Sequence, residues 1–199
     1  MITTVPGLNY LPHYLSGEEQ EQLLAIIDRK PWLTDLKRRV QHYGYRYDYR
    51  RHTVDRSLFL GPLPQWAVAL AGRFVDEGWT PRPPDQLIVN EYAPGQGIAM
   101  HVDCVPWFGD PILVVSLGSP CVMLFSLPRT GRRLPLLLEP GSLYVMQGKA
   151  RYEWEHGIMA RKSDVYSGRR FQRGRRLSLT FRTMLQQAFN TTAKEVVHG

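Results

Sequence analysis

His101 and Asp103 are separated by one residue, immediately before a turn. Residues i and i+2 of an extended segment face the same way, so this imidazole and carboxylate can reach one ion. By itself an HxD pair arises readily by chance. His156 adds a second imidazole on another candidate strand. Two histidines and one carboxylate on one face of a metal leave three positions open, the arrangement of non-haem Fe(II) oxygenases. The competing reading of His156 is a buried strand histidine.

The segment Arg176–Arg182, RLSLTFR, supplies the context. Strand alternation puts Arg176, Ser178, Thr180 and Arg182 on one face, with Leu177, Leu179 and Phe181 on the other. Two arginines and two hydroxyls facing together into an interior are costly unless an anion neutralises them. A dicarboxylate suits, because the planar guanidinium binds carboxylate with two hydrogen bonds and stays charged. An exposed strand with alternating polar residues is the plainer reading. Asn90 interrupts the apolar run LIVNEYA and alternates in the same sense as Tyr92, so a polar partner is expected for it.

These side chains need a scaffold, and the sequence describes one. Ser16 with Glu19 reads as a capping box opening a helix through about Asp28, with Leu23, Leu24 and Ile27 on its apolar face. Pro64 opens a second helix carrying Trp66, Leu70 and Phe74. Beyond residue 86, short β-branched and aromatic runs recur between Gly/Pro turns: 87–93, 112–118, 121–127, 134–139, 142–147, 152–158 and 176–182. That texture predicts a mainly β chain with flanking helices (α+β), built as a sandwich or jelly roll rather than βαβ units. The 199 residues read as one domain: helices and a lid over 1–85, the β core over 86–184, and a polar tail over 185–199.

Composition narrows the class. No apolar run approaches the roughly 20 residues that span a bilayer, and the N-terminus has no secretory pattern. Cys104 and Cys121 form no CxxC, which predicts neither disulfide nor zinc site and a reducing cytoplasmic setting. Cys104 follows Asp103, so on an extended strand its side chain points away from the ion; Cys121 packs as a small hydrophobe. The net charge of +7 is concentrated: residues 29–56 and 161–176 each carry +6, which leaves −5 for the rest. Two such segments suit a polyanion-binding face better than an evenly solubilised surface. Tyr43, Tyr45, Tyr47 and Tyr49 alternate through the first segment and share a face if it is extended.

NEYAPGQGIAMHVD, SLGSPCVMLF, LEPGSLYVMQGKARYEWEHGI and RRLSLTFR together resemble the successive core motifs of the AlkB family of Fe(II)- and 2-oxoglutarate-dependent dioxygenases. The resemblance covers about residues 36–184, and several phrases are nearest the oxygenase domain of the family's animal tRNA-modifying member, which works on wobble uridines. It implies a double-stranded β-helix with Fe(II) held by His101, Asp103 and His156. It implies that Arg176, assisted by Tyr92, pairs with the distal carboxylate of 2-oxoglutarate. Asn90 and Arg182 would lie near the carboxylate at the metal end, with Ser178 on the same cosubstrate face. It also implies O₂ as the oxidant, with succinate, CO₂ and a hydroxylated substrate as products, the last shedding formaldehyde where an N-methyl carbon is attacked. The family's DNA-repair members carry an acidic residue two positions beyond the iron-binding Asp to read the methylated base. Val105 stands there in this chain.

The expected substrate is a nucleobase in single-stranded DNA or RNA, with the chain acting as a monomer. Residues 37–51 would form a lid that grips the strand together with 161–175, through Arg38, Arg39, Arg50 and Arg51, while Tyr43 and Tyr45 offer stacking faces. The same chemistry on a protein or small molecule, and a non-catalytic jelly-roll module, are the competing readings.

Overall fold

The computed structural model describes residues 4–34, 36–51, 53–54 and 56–185; the polar tail from 186 onward lies outside the described residues. In chain order the elements are β1 (Leu8–Leu11), α1 (Gly17–Asp28), β2 (Val40–Tyr43), α2 (Gln65–Asp76), β3 (Gln86–Tyr92), β4 (Ile98–His101), β5 (Ile112–Gly118) and β6 (Cys121–Leu127). They continue as β7 (Arg132–Leu138), β8 (Leu143–Met146), α3 (Lys149–Tyr152), β9 (Glu155–Ile158), β10 (Ser163–Tyr166), β11 (Arg169–Gln172) and β12 (Arg176–Arg182).

Two sheets face each other. The larger has six strands in the order β1-β8-β5-β12-β3-β2, and the smaller has four, β4-β9-β6-β7. Between them lies an apolar layer that includes Phe108, Ile112, Phe125, Tyr144 and Trp154. On the outer face of the larger sheet, α1 and α2 bury Leu23, Ile27, Leu70 and Phe74 against Leu87, Val89, Leu177, Leu179 and Phe181. The expected capping box closes α1: Ser16 Oγ accepts from the Glu19 N–H, and the Glu19 carboxylate accepts from the Ser16 N–H.

β12 explains why this fold makes a site. It is a central strand between β3 and β5, and all seven of its residues are buried. Its apolar face meets the helices, so Arg176, Ser178, Thr180 and Arg182 face the sandwich interior instead of solvent. The plainer reading as an exposed strand is thereby overturned.

Two expectations are corrected. The run 152–158 is not a strand throughout; α3 occupies Lys149–Tyr152 and β9 starts at Glu155. The alternation of tyrosines from 43 to 49 does not hold, because the chain breaks at Gly44, whose φ is +75°. A Cβ there would stand 1.9 Å from the Asp85 carbonyl oxygen, so the turn admits no side chain. The second basic segment is a hairpin, β10–β11, turned by Ser167 and Gly168 with φ of +48° and +78°.

Candidate active site

A cavity of about 430 Å³ opens between the sheets. His101 ends β4 and stands directly opposite His156 on β9, with ring centroids 4.4 Å apart. Asp103 lies two residues beyond β4, its Oδ2 3.8 Å from His156 Nε2. The structure therefore gathers the three expected ligands at one wall of the cavity. As they stand, no three His, Cys, Asp or Glu side chains among the described residues form a closed metal cage. His101 Nδ1 is hydrogen-bonded to the Ala99 carbonyl (2.9 Å), which leaves Nε2 as its ligating atom.

The charges suit ligation. Burial pushes the His156 pKa down to about 3, with Asp103 opposing the shift, so the imidazole is neutral with lone pairs available. Burial alone would raise the Asp103 pKa. Arg182, with smaller help from His156, His101 and Arg151, outweighs it and holds the carboxyl well below the ordinary range. Arg182 Nη2 donates to Asp103 Oδ1 at 2.5 Å, and its Nη1 donates to Gln86.

The expected cosubstrate face is assembled by register. Arg176 stands opposite Tyr92 and Ser178 opposite Asn90 across the β12–β3 pair. Arg176 is 2% exposed; its Nη2 donates to Ser116 Oγ (2.9 Å), while Nε and Nη1 have no partner. Arg182 Nε and His156 Nδ1 are likewise buried and unpartnered. Asn90 Oδ1 accepts from Arg38 Nε at 2.8 Å.

The lid residues divide. Arg38 lines the cavity, its guanidinium carbon 6.0 Å from the Tyr49 ring centroid and 5.8 Å from that of Tyr92. Arg39 does not: it turns to the other side of the sheet, binds Glu91 through Nε and Nη2 (2.5 and 2.7 Å) and covers Trp32. Tyr43 packs edge-on against Trp66 in the helix layer and donates to Gln41, away from the cavity. Tyr45 packs at a tilt against Phe59 and lines no part of it. The aromatic wall is formed by Tyr47 and Tyr49, past the Gly44 break, with Phe108 beyond. Arg50 and Arg51 are exposed on a turn whose N–H groups donate to Asp48.

The two cysteines are free, as expected. Cys104 does not point away from the site: residues 102–104 leave the strand, and its thiol interacts with Tyr47 at the cavity wall. Burial, with a smaller contribution from that neighbour, pushes the Tyr47 pKa up to about 12.

The family profile of the 2OG-Fe(II) oxygenase superfamily matches residues 7–182. The tRNA (carboxymethyluridine(34)-5-O)-methyltransferase ALKBH8 of Macaca fascicularis is 37% identical over 93% of this chain, and the chain covers 31% of that protein. The mouse mitochondrial alpha-ketoglutarate-dependent dioxygenase alkB homolog 7 is 38% identical over 87% of this chain and 76% of its own length. This chain belongs to the AlkB family of 2OG-Fe(II) oxygenases. The solved structure of OsALKBH1 has the same fold, with a TM-score of 0.72, 18% identity and coverage of 91% of this chain and 98% of that one. The chain spans about a third of the ALKBH8 protein from Macaca fascicularis that it matches.

Family membership makes this domain a jelly-roll dioxygenase using Fe(II), 2-oxoglutarate and O₂. The AlkB site in this chain fits those groups. A neutral imidazole, an ionised carboxylate and a second imidazole are suitable Fe(II) donors. Two buried guanidiniums with three unsatisfied nitrogens between them call for an anion, which a dicarboxylate supplies. Sequence reasoning missed Tyr144, Phe108 and Met123 in the cavity wall. Tyr144 was visible as an inward position of β8. The other two lie where pairing between distant strands decides which face is inside. Arg151, buried beneath the Asp103 loop, gave no signal beyond a basic residue in an aromatic run.

Proposed function

We propose that this AlkB-family chain oxidises a nucleobase in RNA or DNA, by hydroxylation or oxidative demethylation, with the base single-stranded or extruded from its stack. One observation carries the reading: the two basic segments are joined through Gln96, two residues before the cavity wall begins at Ile98. Gln96 Nε2 donates to the Lys37 carbonyl (2.7 Å), and Arg173 Nη1 donates to the carbonyls of Gln96 (3.4 Å) and Met159 (2.8 Å). The chain runs from this junction directly into Ile98 and Ala99 of the cavity wall. Positive charge thus lies beside an aromatic-lined cavity of about 430 Å³, the arrangement needed to hold a phosphate backbone and admit a base taken out of its stack. Relatives named for tRNA modification (37% identical) and for alkylated DNA repair (35%, Arabidopsis thaliana) are about equally near, so RNA and single-stranded DNA are tested side by side.

In this mechanism His101, Asp103 and His156 would hold Fe(II). Arg176 and Tyr92 would bind the distal carboxylate of 2-oxoglutarate, and Asn90, Ser178 and Arg182 would complete the cosubstrate site. When bound, Fe(II) with 2-oxoglutarate and O₂ supplies substrate C–H hydroxylation, one oxygen atom entering the substrate and the other succinate, with CO₂ released. The protein contributes geometry and dryness. Asp103 stays anionic beside Arg182, and His156 stays neutral through burial. Phe108, Val114 and Met123 wall the pocket against water. Tyr47 and Tyr49 give the wall an aromatic surface for a base to pack on, and Arg38 lies beside Tyr49.

Salt-dependent binding tests the substrate class. Wild type is compared with a variant in which exposed Lys37, Arg50, Arg51, Lys162, Arg169 and Arg170 are changed to Ala. Affinity for single-stranded RNA falls steeply with salt in wild type, and the log–log slope shrinks by about 0.7 for each phosphate contact removed. Equal, salt-insensitive binding by both proteins contradicts a nucleic-acid substrate.

A further inference from the structure

Arg151 is a charged side chain with 1% exposure, and its hydrogen bonds all go to backbone. Nη1 donates to the Asp103 carbonyl at 2.8 Å and Nη2 to those of Phe108 (2.9 Å) and Cys104 (3.3 Å). Nε donates to the Gly109 carbonyl at 3.3 Å. All four acceptors belong to the loop 103–109, which carries Asp103 and, through Cys104 and Phe108, part of the cavity wall.

A buried guanidinium is tolerable only when its N–H groups find acceptors. Here one rigid fork draws four carbonyls of one loop to itself, so loop and cation hold each other. At the far end of the loop the Gly109 N–H donates to the Thr183 carbonyl and the Leu185 N–H to that of Trp107. Arg151 grips the near end, at the backbone of Asp103 itself. It sits on α3, the short element immediately before β9, and β9 carries His156. One side chain therefore ties the segment bearing the carboxylate to the segment bearing the distal imidazole.

We propose that Arg151 is a positioning residue for the metal centre, fixing the backbone of Asp103 while Arg182 holds its carboxylate. The proposal rests on the reading of His101, Asp103 and His156 as the metal ligands. Lysine cannot substitute, because one ammonium cannot span acceptors from Asp103 to Gly109.

The test uses Co(II) as probe on the full chain, following metal affinity and Co(II) absorption by titration and the unfolding temperature separately. Arg151→Lys is the main variant, with Arg151→Met beside it. Phe74→Leu, in the helix layer behind the larger sheet, serves as a control matched for stability. Outer residues that orient metal ligands cost on the order of 10–100-fold in metal affinity when lost. Arg151→Lys is expected to lose that much and to change the Co(II) spectrum. Phe74→Leu, equally or more destabilised, keeps wild-type affinity and spectrum. An Arg151→Lys protein that folds and binds Co(II) as wild type does overturns the proposal. So does a pair of variants whose affinities both simply follow the unfolding temperature. Should Arg151→Met fail to fold, Arg151→Lys decides. His101→Ala separates the underlying assignment: wild-type Co(II) binding in that variant removes the ligand reading and the proposal with it.

Discussion

Arg182 and Asp103 form a buried ion pair across the cavity floor, Nη2 to Oδ1 at 2.5 Å. The other carboxylate oxygen faces His156, so Asp103 is neutralised on one side and offered to the ligand cluster on the other. Removing one partner of a buried pair strands the other, typically at a cost of about 3–5 kcal/mol. Arg182→Leu is expected to destabilise the metal-free protein by about that amount. A divalent cation supplies the missing positive charge, so Ni(II) raises the unfolding temperature more in the variant than in wild type. Equal shifts in calorimetry contradict this account of the pair.

Arg176 behaves differently, because its Nε and Nη1 already lack partners. Arg176→Ala should weaken 2-oxoglutarate binding by about 2–5 kcal/mol, the range for losing a buried charged hydrogen-bonding partner. The unfolding temperature without cosubstrate should change little, since an uncompensated buried charge is removed. Unchanged 2-oxoglutarate affinity by titration calorimetry rejects the role.

The lid tyrosines should separate by position. Tyr49→Ala and Tyr47→Ala remove ring faces from the cavity and are expected to raise KM for an oligonucleotide, stacking being worth about 1–3 kcal/mol per base. Tyr43→Ala, which loses its contact with Trp66, should lower the unfolding temperature and leave KM unchanged. The opposite pattern in steady-state kinetics would restore the extended-strand reading of this segment.

Asp164 anchors the basic hairpin. It accepts two hydrogen bonds from Arg173 (2.6 and 2.8 Å) and one from the Val122 N–H (2.9 Å). Burial would raise its pKa, but Arg173, the Val122 N–H and Arg161 together lower it. A depressed folded pKa gives stability that is complete above the ordinary aspartate value, near 3.9, and lost as pH falls below it. Below that value the unfolded chain takes up a proton that the native state refuses. Urea midpoints between pH 2 and 7 should fall more steeply at the acid end in wild type than in Asp164→Asn. Parallel curves contradict the assignment.

Much of this molecule was legible in the sequence. RLSLTFR announced a polar face on a strand, and the fold turned that face inward because β12 is central and backed by helices. HxD and a distant His marked the candidate ligand set, and β-pairing set His101 opposite His156. The lid was less legible. Alternation from Tyr43 to Tyr49 looked continuous, yet the turn at Gly44, which abuts the Asp85 carbonyl, breaks it, and of the four only Tyr47 and Tyr49 line the cavity. The β10–β11 hairpin escaped notice because its strands are only four residues long and largely polar, with little hydrophobic period to detect. Arg151 could not be found, because its meaning lies in four backbone carbonyls about 40 residues away.

The central claim is oxidation of a nucleobase by this AlkB-family site, and product analysis tests it most directly. The purified chain is incubated with Fe(II), 2-oxoglutarate and total cellular RNA, with single-stranded DNA in parallel. Succinate is quantified, and the nucleosides are digested and weighed by mass spectrometry. The account predicts succinate formation stimulated by nucleic acid and matched by a nucleoside that has gained one oxygen or lost one methyl group, both abolished in His156→Ala. Turnover of 2-oxoglutarate that neither RNA nor DNA stimulates, with every nucleoside mass unchanged, would contradict it.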